Sequence, residues 1–172
     1  MDRQRTIYTI GHSNRSLEGL VGLLKKNDIF AVADVRSRPF SRFKHFHKPV
    51  LDTALPECLI GYFWFGRELG GLRDPFEKKR DKIPGAESLQ AMKTPTYEEH
   101  MTTALFARGL RTLEELGTRL TTAIMCAEMR PNDCHRRHIT RALEERGWRV
   151  LHIIGPGEVW TSPMGPGLHL DL

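Results

Sequence analysis

The sequence contains few cysteines and no long apolar run. Its three cysteines are an odd number and too few for a disulfide scaffold, and none of them forms a Cys-x-x-Cys pair. No apolar stretch approaches the roughly 20 residues that cross a bilayer, and the opening MDRQRTIYTIGHS has no apolar signal core. There is also no internal repeat and no low-complexity linker. These absences favour a reduced, cytoplasmic protein without a membrane partner.

The composition is that of an ordinary globular domain with a basic surplus. A chain of 172 residues with 40% hydrophobic and 27% charged residues is long enough for one domain with a substantial core. The net charge of +5 and the pI near 9.3 suggest an anionic partner, such as a nucleotide or nucleic acid. The same charge is also common in proteins without such a partner. The sequence gives no indication of the oligomeric state.

Strand-like and helix-like segments alternate along the chain. Short β-branched or apolar runs predict strands at 6–10, 30–35, 61–65, 120–126 and 148–154. Apolar residues at helical spacing predict helices at 16–26, 50–55, 97–116 and 138–146. This alternation predicts a single α/β domain over 1–172, with three layers and a mainly parallel sheet of Rossmann-like or flavodoxin-like type. We expect an irregular insertion at 74–95 and a loop-like tail at 155–172.

Polar side chains follow the predicted strands where each of them ends. Ligands of parallel α/β sheets bind outside the carboxyl ends of the strands. The sequence therefore predicts one cleft at this edge of the sheet. The residues that converge there are His12, Ser13, Asp34, Arg36, Glu68, Cys126, Glu128, Cys134, His135 and Arg136.

The same strand ends carry a resemblance to a known family. The segments concerned are Thr9-Ile10-Gly11-His12-Ser13, Asp34-Val35-Arg36 with Pro39, Leu69-Gly70-Gly71, and Cys126-Ala127-Glu128 with Pro131 and Cys134-His135-Arg136. Together and in this order they resemble the motif set of the domain of unknown function 488 family. The resemblance implies an α/β fold and a shared set of polar motifs, but no established reaction.

The segment CAEMRPNDCHRR, from Cys126 to Arg137, is open to several interpretations. Asn132 and Asp133 are favoured helix caps, which would place Cys134, His135 and Arg136 in the first turn of a helix. Unpaired N–H groups and the helix dipole at that point favour a phosphate anion or a thiolate.

A metal site and a thiol enzyme both use the two cysteines of this segment. Cys126, Cys134 and His135 could bind zinc with His12 or Glu128, but the eight-residue spacing and the nearby arginines argue against a dication. Cys134 could instead be a nucleophile with His135 or His12 as its base. Cys126 would then resolve it as a disulfide partner, or would be an inert buried residue.

A carboxylate enzyme is the third interpretation. Glu128 would act as nucleophile or general base with Asp34 opposite, and His12 would protonate the leaving group. Arg36 and Arg136 would hold phosphate. Alternatively, the acids and arginines form structural ion pairs at the rim.

The loop after the second strand alternates basic and aromatic residues. Arg38, Arg42 and Lys44 are interleaved with Phe40 and Phe43, a pattern that can follow a phosphate backbone and stack on bases. In the alternative interpretation the phenylalanines fill the core and the charges are solvated.

These observations lead to one functional hypothesis. We expect a hydrolase or transferase acting on a nucleotide or nucleic acid, without a cofactor or a bound metal. A non-catalytic nucleic-acid-binding module and a zinc or thiol site protein are the alternatives. The residues assigned to catalysis are Glu128, His12, Cys134 and Asp34, those assigned to anion binding are Arg36, Arg136, Ser13 and His135, and those assigned to nucleic-acid binding are Arg38, Arg42 and Lys44.

Overall fold

A computed structural model describes residues 5–71 and 96–162 as an α/β domain with a six-stranded sheet. The strands are β1 (Thr6–Gly11), β2 (Ala31–Asp34), β3 (Gly61–Trp64), β4 (Thr122–Cys126), β5 (Arg149–Gly155) and β6 (Glu158–Thr161). The α-helices are α1 (Leu17–Lys26), α2 (Lys48–Glu57), α3 (Gly66–Leu69), α4 (Tyr97–Met101), α5 (Ala104–Arg119) and α6 (Arg136–Glu144). Two 3-10 turns lie at Lys44–Phe46 and Pro131–Asp133.

The order of the strands places a crevice beside β1. The sheet runs β3-β2-β4-β1-β5-β6, and all neighbouring strands are parallel except β6, which is antiparallel to β5. The helix after β1 packs on one face of the sheet, and the helix after the neighbouring strand β4 packs on the other. The chain therefore leaves these two adjacent strand ends in opposite directions, which is the arrangement that opens a ligand site in such sheets.

The core lies in two layers, one on each face of the sheet. Side chains of a strand point alternately to the two faces, so Ile7 and Ile124 pack under α5 and α6, whereas Ile10 and Met125 pack under α1 and α2. With helices on both faces, the molecule has the three layers that the alternating sequence pattern predicts. None of the described helices is long and apolar enough to cross a membrane.

Three predicted helices have different bounds in the structure, and one of them, predicted at 138–146, lies two residues earlier as Arg136–Glu144. The predicted helix 97–116 is two helices, because α4 ends at Met101 and the Thr103 hydroxyl accepts a hydrogen bond from the Phe106 N–H at the start of α5. Threonine is favoured at such an N-cap. The predicted helix 50–55 extends to Glu57, because Pro56 lies in the last turn of α2, where it does not end the helix.

The predicted loop at 155–172 is wrong for part of its length. Glu158–Thr161 forms β6, which pairs with β5 through registers such as Ile153 with Val159. Gly157 has a φ of +74° in the connecting turn, a conformation that glycine adopts without strain, so the chain reverses and its β-branched residues reach the edge of the sheet. The predicted insertion at 74–95 lies outside the described residues.

Candidate functional site

The carboxyl ends of β1, β2 and β4 bring three of the predicted motifs together. The His12 N–H donates to the Cys126 carbonyl (3.0 Å), and the Ser13 N–H donates to the Ala127 carbonyl (2.8 Å). A Cβ on Gly11 would lie 1.9 Å from the Glu128 carbonyl oxygen, so the close approach of these two loops requires glycine at this position. The loops after β1 and β4 therefore meet, as the sequence predicts for these strand ends, whereas the predicted Glu68 does not line either of the two cavities described below.

Asp34 and Arg36 form a buried ion pair below this crevice. The Arg36 guanidinium donates from Nε to one Asp34 carboxylate oxygen (2.9 Å) and from Nη2 to the other (2.6 Å). Tyr62 donates its hydroxyl to the same carboxylate (2.6 Å), and Arg36 Nη1 donates to the Phe46 carbonyl (2.9 Å). Asp34 is fully buried and Arg36 is 5% exposed. This bidentate pair locks β2 to β3 and to the following loop.

His12 is held inside this network as a neutral imidazole. Its Nδ1 lies 3.0 Å from the Ser13 carbonyl and therefore carries the proton, which leaves Nε2 to accept from Arg36 Nη1 at 3.3 Å. The ring stacks on Phe46 with centroids 4.3 Å apart. Burial, reinforced by the Arg36 charge, lowers the pKa of His12 to about 4. A neutral histidine whose Nε2 already accepts a hydrogen bond has no proton on that nitrogen for a leaving group.

Arg136 is fully buried at the start of α6, and its bonds hold the β4–α6 loop in place. Its Nη2 donates to the carbonyls of Glu128 and Met129, and its Nη1 lies 3.4 Å from the Thr9 hydroxyl. Its Nε and its backbone N–H donate to the sulfur of Cys134 at 3.1 and 3.3 Å. No carboxylate of the described residues lies within ion-pair distance of Arg136. A buried cation requires a counter-charge, so the Cys134 thiolate fits this position.

The sulfurs of Cys134 and Cys126 lie within 4.8 Å of each other, and their pKa values are shifted in opposite directions. The hydrogen bond from the Cys126 thiol, followed by the charge and hydrogen bonds of Arg136, lowers the pKa of Cys134 to about 6 against the opposing effect of burial. The same hydrogen bond, together with burial, raises the pKa of Cys126. Cys126 is buried at the end of β4, and Cys134 is half-buried. A thiolate stabilised in this way beside a protonated thiol has the properties that a nucleophilic cysteine requires.

The position of Cys134 differs from the expected helix turn. Pro131–Asp133 forms a 3-10 turn, and Cys134 follows it in an extended conformation (φ −145°, ψ 172°) before α6 begins at Arg136. The helix still contributes, because the N–H at its first residue donates to the Cys134 sulfur. Arg136 itself directs its side chain inward and not toward a ligand.

His135 completes a group of three soft-metal ligands. Ligand atoms of Cys126, Cys134 and His135 all lie within 4.8 Å of one another. His135 Nε2 donates to the Val35 carbonyl (2.9 Å), which is the kind of partner that orients a metal-binding imidazole through its other nitrogen. This donor set suits zinc.

The sulfur pair opens into a cavity of about 370 Å³. Its lining includes Cys126 and Cys134 together with Glu128, Asp133, His135, Arg36, Arg38 and Phe40. A neighbouring cavity of about 720 Å³ shares the lining residues Phe40, Ala127 and Glu128 with the first. The second cavity is lined further by His12, Ser13, Asn14, Ser41, Arg42, Phe43 and Met129.

The chain matches one family model over most of its length. Residues 16–143 match the model of a family described as a domain of unknown function, DUF488. The chain belongs to the DUF488 family. No curated protein and no solved structure matches it. The matched segment of this DUF488 chain contains the Asp34–Arg36 pair and the cysteines Cys126 and Cys134, whereas β1 and His12 precede it.

The basic loop of the DUF488 chain is divided between core and surface. Phe46 is fully buried, as the core interpretation requires, whereas Phe40 is 63% exposed. Arg38, Arg42 and Lys44 are exposed, and the Arg42 guanidinium stacks over the Phe43 ring at 4.7 Å. Arg38 and Arg42 face the two cavities, while Lys44 lines neither of the two.

Sequence reasoning missed Tyr62 and underrated Cys126. Tyr62 reads as an ordinary strand residue, and only the pairing of β2 with β3 brings its hydroxyl to Asp34. The sequence favoured an inert strand-end role for Cys126. In the structure the β4–α6 loop folds back and places the Cys134 sulfur close to the Cys126 sulfur. Glu68, predicted at the same edge, lies on α3 beside α5 and does not line either cavity of the DUF488 site.

Proposed function

We propose that this chain is an enzyme whose nucleophile is the Cys134 thiolate and whose substrate carries a phosphate or similar anionic group. One observation carries the proposal. The Cys134 sulfur accepts two hydrogen bonds from the fully buried Arg136 and forms part of a cavity wall. A thiolate that is both stabilised and accessible is the arrangement of a reactive cysteine.

The exposed arginines of the basic loop support an anionic substrate. Arg36 and Arg136 have internal partners for their guanidiniums, so we transfer the predicted anion-binding role to Arg38 and Arg42. Each of these lines one cavity beside an exposed or half-buried phenylalanine ring. Guanidinium groups suit phosphate, and aromatic faces suit a planar base, so a nucleotide is the substrate class that fits both.

The chemistry is a two-step substitution. In the first step the Cys134 sulfur attacks an electrophilic atom of the substrate, a sulfur–substrate bond forms, and the leaving group departs with its bonding electron pair. In the second step Glu128, an exposed carboxylate that lines both cavities, removes a proton from water or from an acceptor hydroxyl. The new oxygen–substrate bond releases the thiolate. Water makes the enzyme a hydrolase, and an acceptor makes it a transferase.

Selective alkylation tests both parts of this proposal. Iodoacetate carries a negative charge and iodoacetamide is its neutral analogue. The alkylation rate with iodoacetate divided by the rate with iodoacetamide therefore reports the electrostatic potential at the reacting sulfur. At Cys134 we expect this ratio to exceed the ratio at Cys58 by roughly tenfold at low salt. Arg38→Gln should lower it, whereas Arg111→Gln, which removes an exposed arginine on α5, should not.

Each outcome separates one half of the proposal from the other. Slow alkylation of Cys134 by both reagents would remove it as the nucleophile. Fast alkylation with no charge preference would keep the nucleophile and reject the anionic substrate. Peptide mass spectrometry locates the modified cysteine, and Cys134→Ser provides the blank.

Zinc binding is a second candidate, favoured by the 4.8 Å grouping of Cys126, Cys134 and His135. Three protein ligands leave a fourth position for water or substrate, as in catalytic zinc sites. Zinc would then block alkylation of Cys134, and Cys126→Ser and Cys134→Ser would each weaken its binding. Stoichiometric binding that is lost in both variants would favour this candidate over the thiolate nucleophile.

Nucleic-acid binding without catalysis is the remaining alternative. The exposed Phe40 ring between Arg38 and Arg42 favours it. It predicts a strongly salt-dependent affinity for oligonucleotides that falls when Arg38, Arg42 and Lys44 are neutralised together. Unchanged affinity in that triple variant would exclude it.

A further inference from the structure

A third cavity lies on the opposite side of α6 from the sulfur pair. Its volume is about 370 Å³, and it shares no lining residue with the two cavities of the candidate site. The floor is strand β5, and the walls are α6 with its preceding turn and the end of β6. The residues that line it are Pro131, Asn132, Arg137, Thr140, Arg141, Glu144, Glu145, His152 and Ser162.

One of these lining residues, His152, has a buried ring nitrogen without a hydrogen-bond partner. The side chain is 1% exposed, and its Nε2 is the one buried side-chain nitrogen or oxygen in 5–71 and 96–162 without a hydrogen-bond partner. The other ring nitrogen, Nδ1, lies 2.8 Å from the Thr9 hydroxyl. Leaving a buried polar group unpaired is costly, so the position calls for a partner.

The hydrogen-bond network determines what this partner must be. The Thr9 oxygen lies 3.4 Å from Arg136 Nη1, and a guanidinium can only donate. Thr9 therefore accepts from Arg136. Among the described residues, His152 Nδ1 is the one acceptor within hydrogen-bond distance of the Thr9 hydroxyl, so the Thr9 hydrogen points to that nitrogen. The His152 proton then resides on Nε2, so the unpaired atom is a donor. Its ligand must present an acceptor oxygen.

Two arginines stand at the rim of the same cavity. Arg137 donates through Nη1 to the Asn132 carbonyl (3.1 Å), and Arg141 pairs with Glu145 at 3.2 Å. The members of that ion pair are 78% and 66% exposed, so the pair is weak and can open. Glu144 also lines the cavity, and its carboxylate repels negative charge that extends toward it. A ligand with one compact anionic group therefore fits better than one with spread charge.

We propose that this cavity is a second ligand site that binds a small oxyanion, a phosphate or carboxylate group, through His152 Nε2 and the guanidiniums of Arg137 and Arg141. The site is connected to the sulfur pair by a chain of hydrogen bonds. His152 contacts Thr9, Thr9 contacts Arg136, and Arg136 donates to the sulfur of Cys134.

Histidine-ring NMR on the full-length chain tests the binding. Inorganic phosphate is titrated against chloride at constant ionic strength, and the His152 ring signals are assigned with His152→Gln. We expect a saturable shift of the His152 Nε2–H signal. Arg141→Gln should weaken the affinity by about tenfold, the factor expected for one charge-assisted hydrogen bond. Arg149→Gln removes an exposed arginine of β5 outside the cavity and should leave the affinity unchanged.

Two results would overturn the binding proposal. One is a His152 signal that does not change or changes without saturation. The other is an equal loss of affinity in the Arg141→Gln and Arg149→Gln proteins. Because His152→Gln alters a buried position, the exposed Arg137→Gln variant provides an independent test in a folded protein.

Discussion

The reactivity of Cys134 should have an unusual dependence on pH. We compare its exchange with a dipyridyl disulfide with that of an ordinary thiol. The thiolate is the attacking species, and the pKa of Cys134 is lowered to about 6, whereas a free cysteine has a pKa of about 8.5. At pH 5.5 the thiolate fraction is therefore about 240 times larger for Cys134 than for the ordinary thiol.

The lower basicity of this thiolate partly offsets its abundance. With a Brønsted coefficient of about 0.45, the difference in pKa reduces its intrinsic nucleophilicity about 13-fold. Cys134 should then react roughly 20-fold faster than a free thiol at pH 5.5, about twofold faster at pH 7 and about tenfold slower at pH 9. The inversion of relative rates between acid and alkaline pH is the signature to measure.

Stopped-flow absorbance of the released thiopyridone measures these rates. The Cys134 sulfur displaces one thiopyridone, and Cys126 then attacks the mixed disulfide and displaces a second, leaving a Cys126–Cys134 disulfide. The protein should therefore release two equivalents per reagent consumed at this site, and Cys126→Ser should release one. Cys134→Ser should remove the fast phase, and glutathione is the reference thiol. A rate that rises with pH in parallel with glutathione would refute the thiolate assignment.

Three further predictions concern the residues around the sulfur pair. Asp34→Asn leaves the Arg36 charge buried without its partner and should lower the free energy of unfolding by about 3–5 kcal/mol. Tyr62→Phe removes one hydrogen bond to a charged group and should lower it by about 1.5–3 kcal/mol. Urea unfolding measures both changes, and equal small losses would contradict the pairing of Asp34 with Arg36. The pKa of His12 is lowered from 6.5 to about 4, so the native state binds fewer protons than the unfolded state in this window. The free energy of unfolding should therefore fall as the pH drops from about 6.5 toward 4, by up to about 3 kcal/mol from this residue, and a flat pH profile would show that His12 is solvated. Glu128→Gln keeps the backbone carbonyl that Arg136 binds, so the melting temperature should not change. Turnover of the proposed reaction should be lost in this variant, and an unchanged turnover rate would remove Glu128 from the chemistry.

Part of the site could be predicted from local patterns. Asp34 and Cys126 end short apolar strands, His12 and Glu128 lie just after such strands, and parallel strands end at one edge of a sheet. Their convergence therefore required only a correct assignment of strands and helices. The alternation of strands with helices likewise predicted the sheet, because crossover helices must cover both of its faces.

Local sequence patterns did not predict the role of each arginine within the site. Arg36 and Arg136 have the same charge and similar positions as Arg38 and Arg42, yet the first two are buried and the last two exposed. A sequence gives the charge of an arginine but not whether its side chain points into the protein or toward solvent. That orientation depends on which carbonyls and carboxylates the neighbouring strands supply.

The sequence by itself determined the class of fold, the edge of the sheet where polar residues gather, and membership of a family with these motifs. Each of these depends on periodicity or on short motifs, which are properties of consecutive residues. Only the tertiary structure decided that Cys126 and Cys134 lie together, that Arg136 donates to the Cys134 sulfur, and that a ring nitrogen of His152 is buried without a partner. These features depend on contacts between residues far apart in the chain, such as Thr9 with His152. Such contacts are fixed by the order and register of the strands, which the residue pattern of any single strand does not encode.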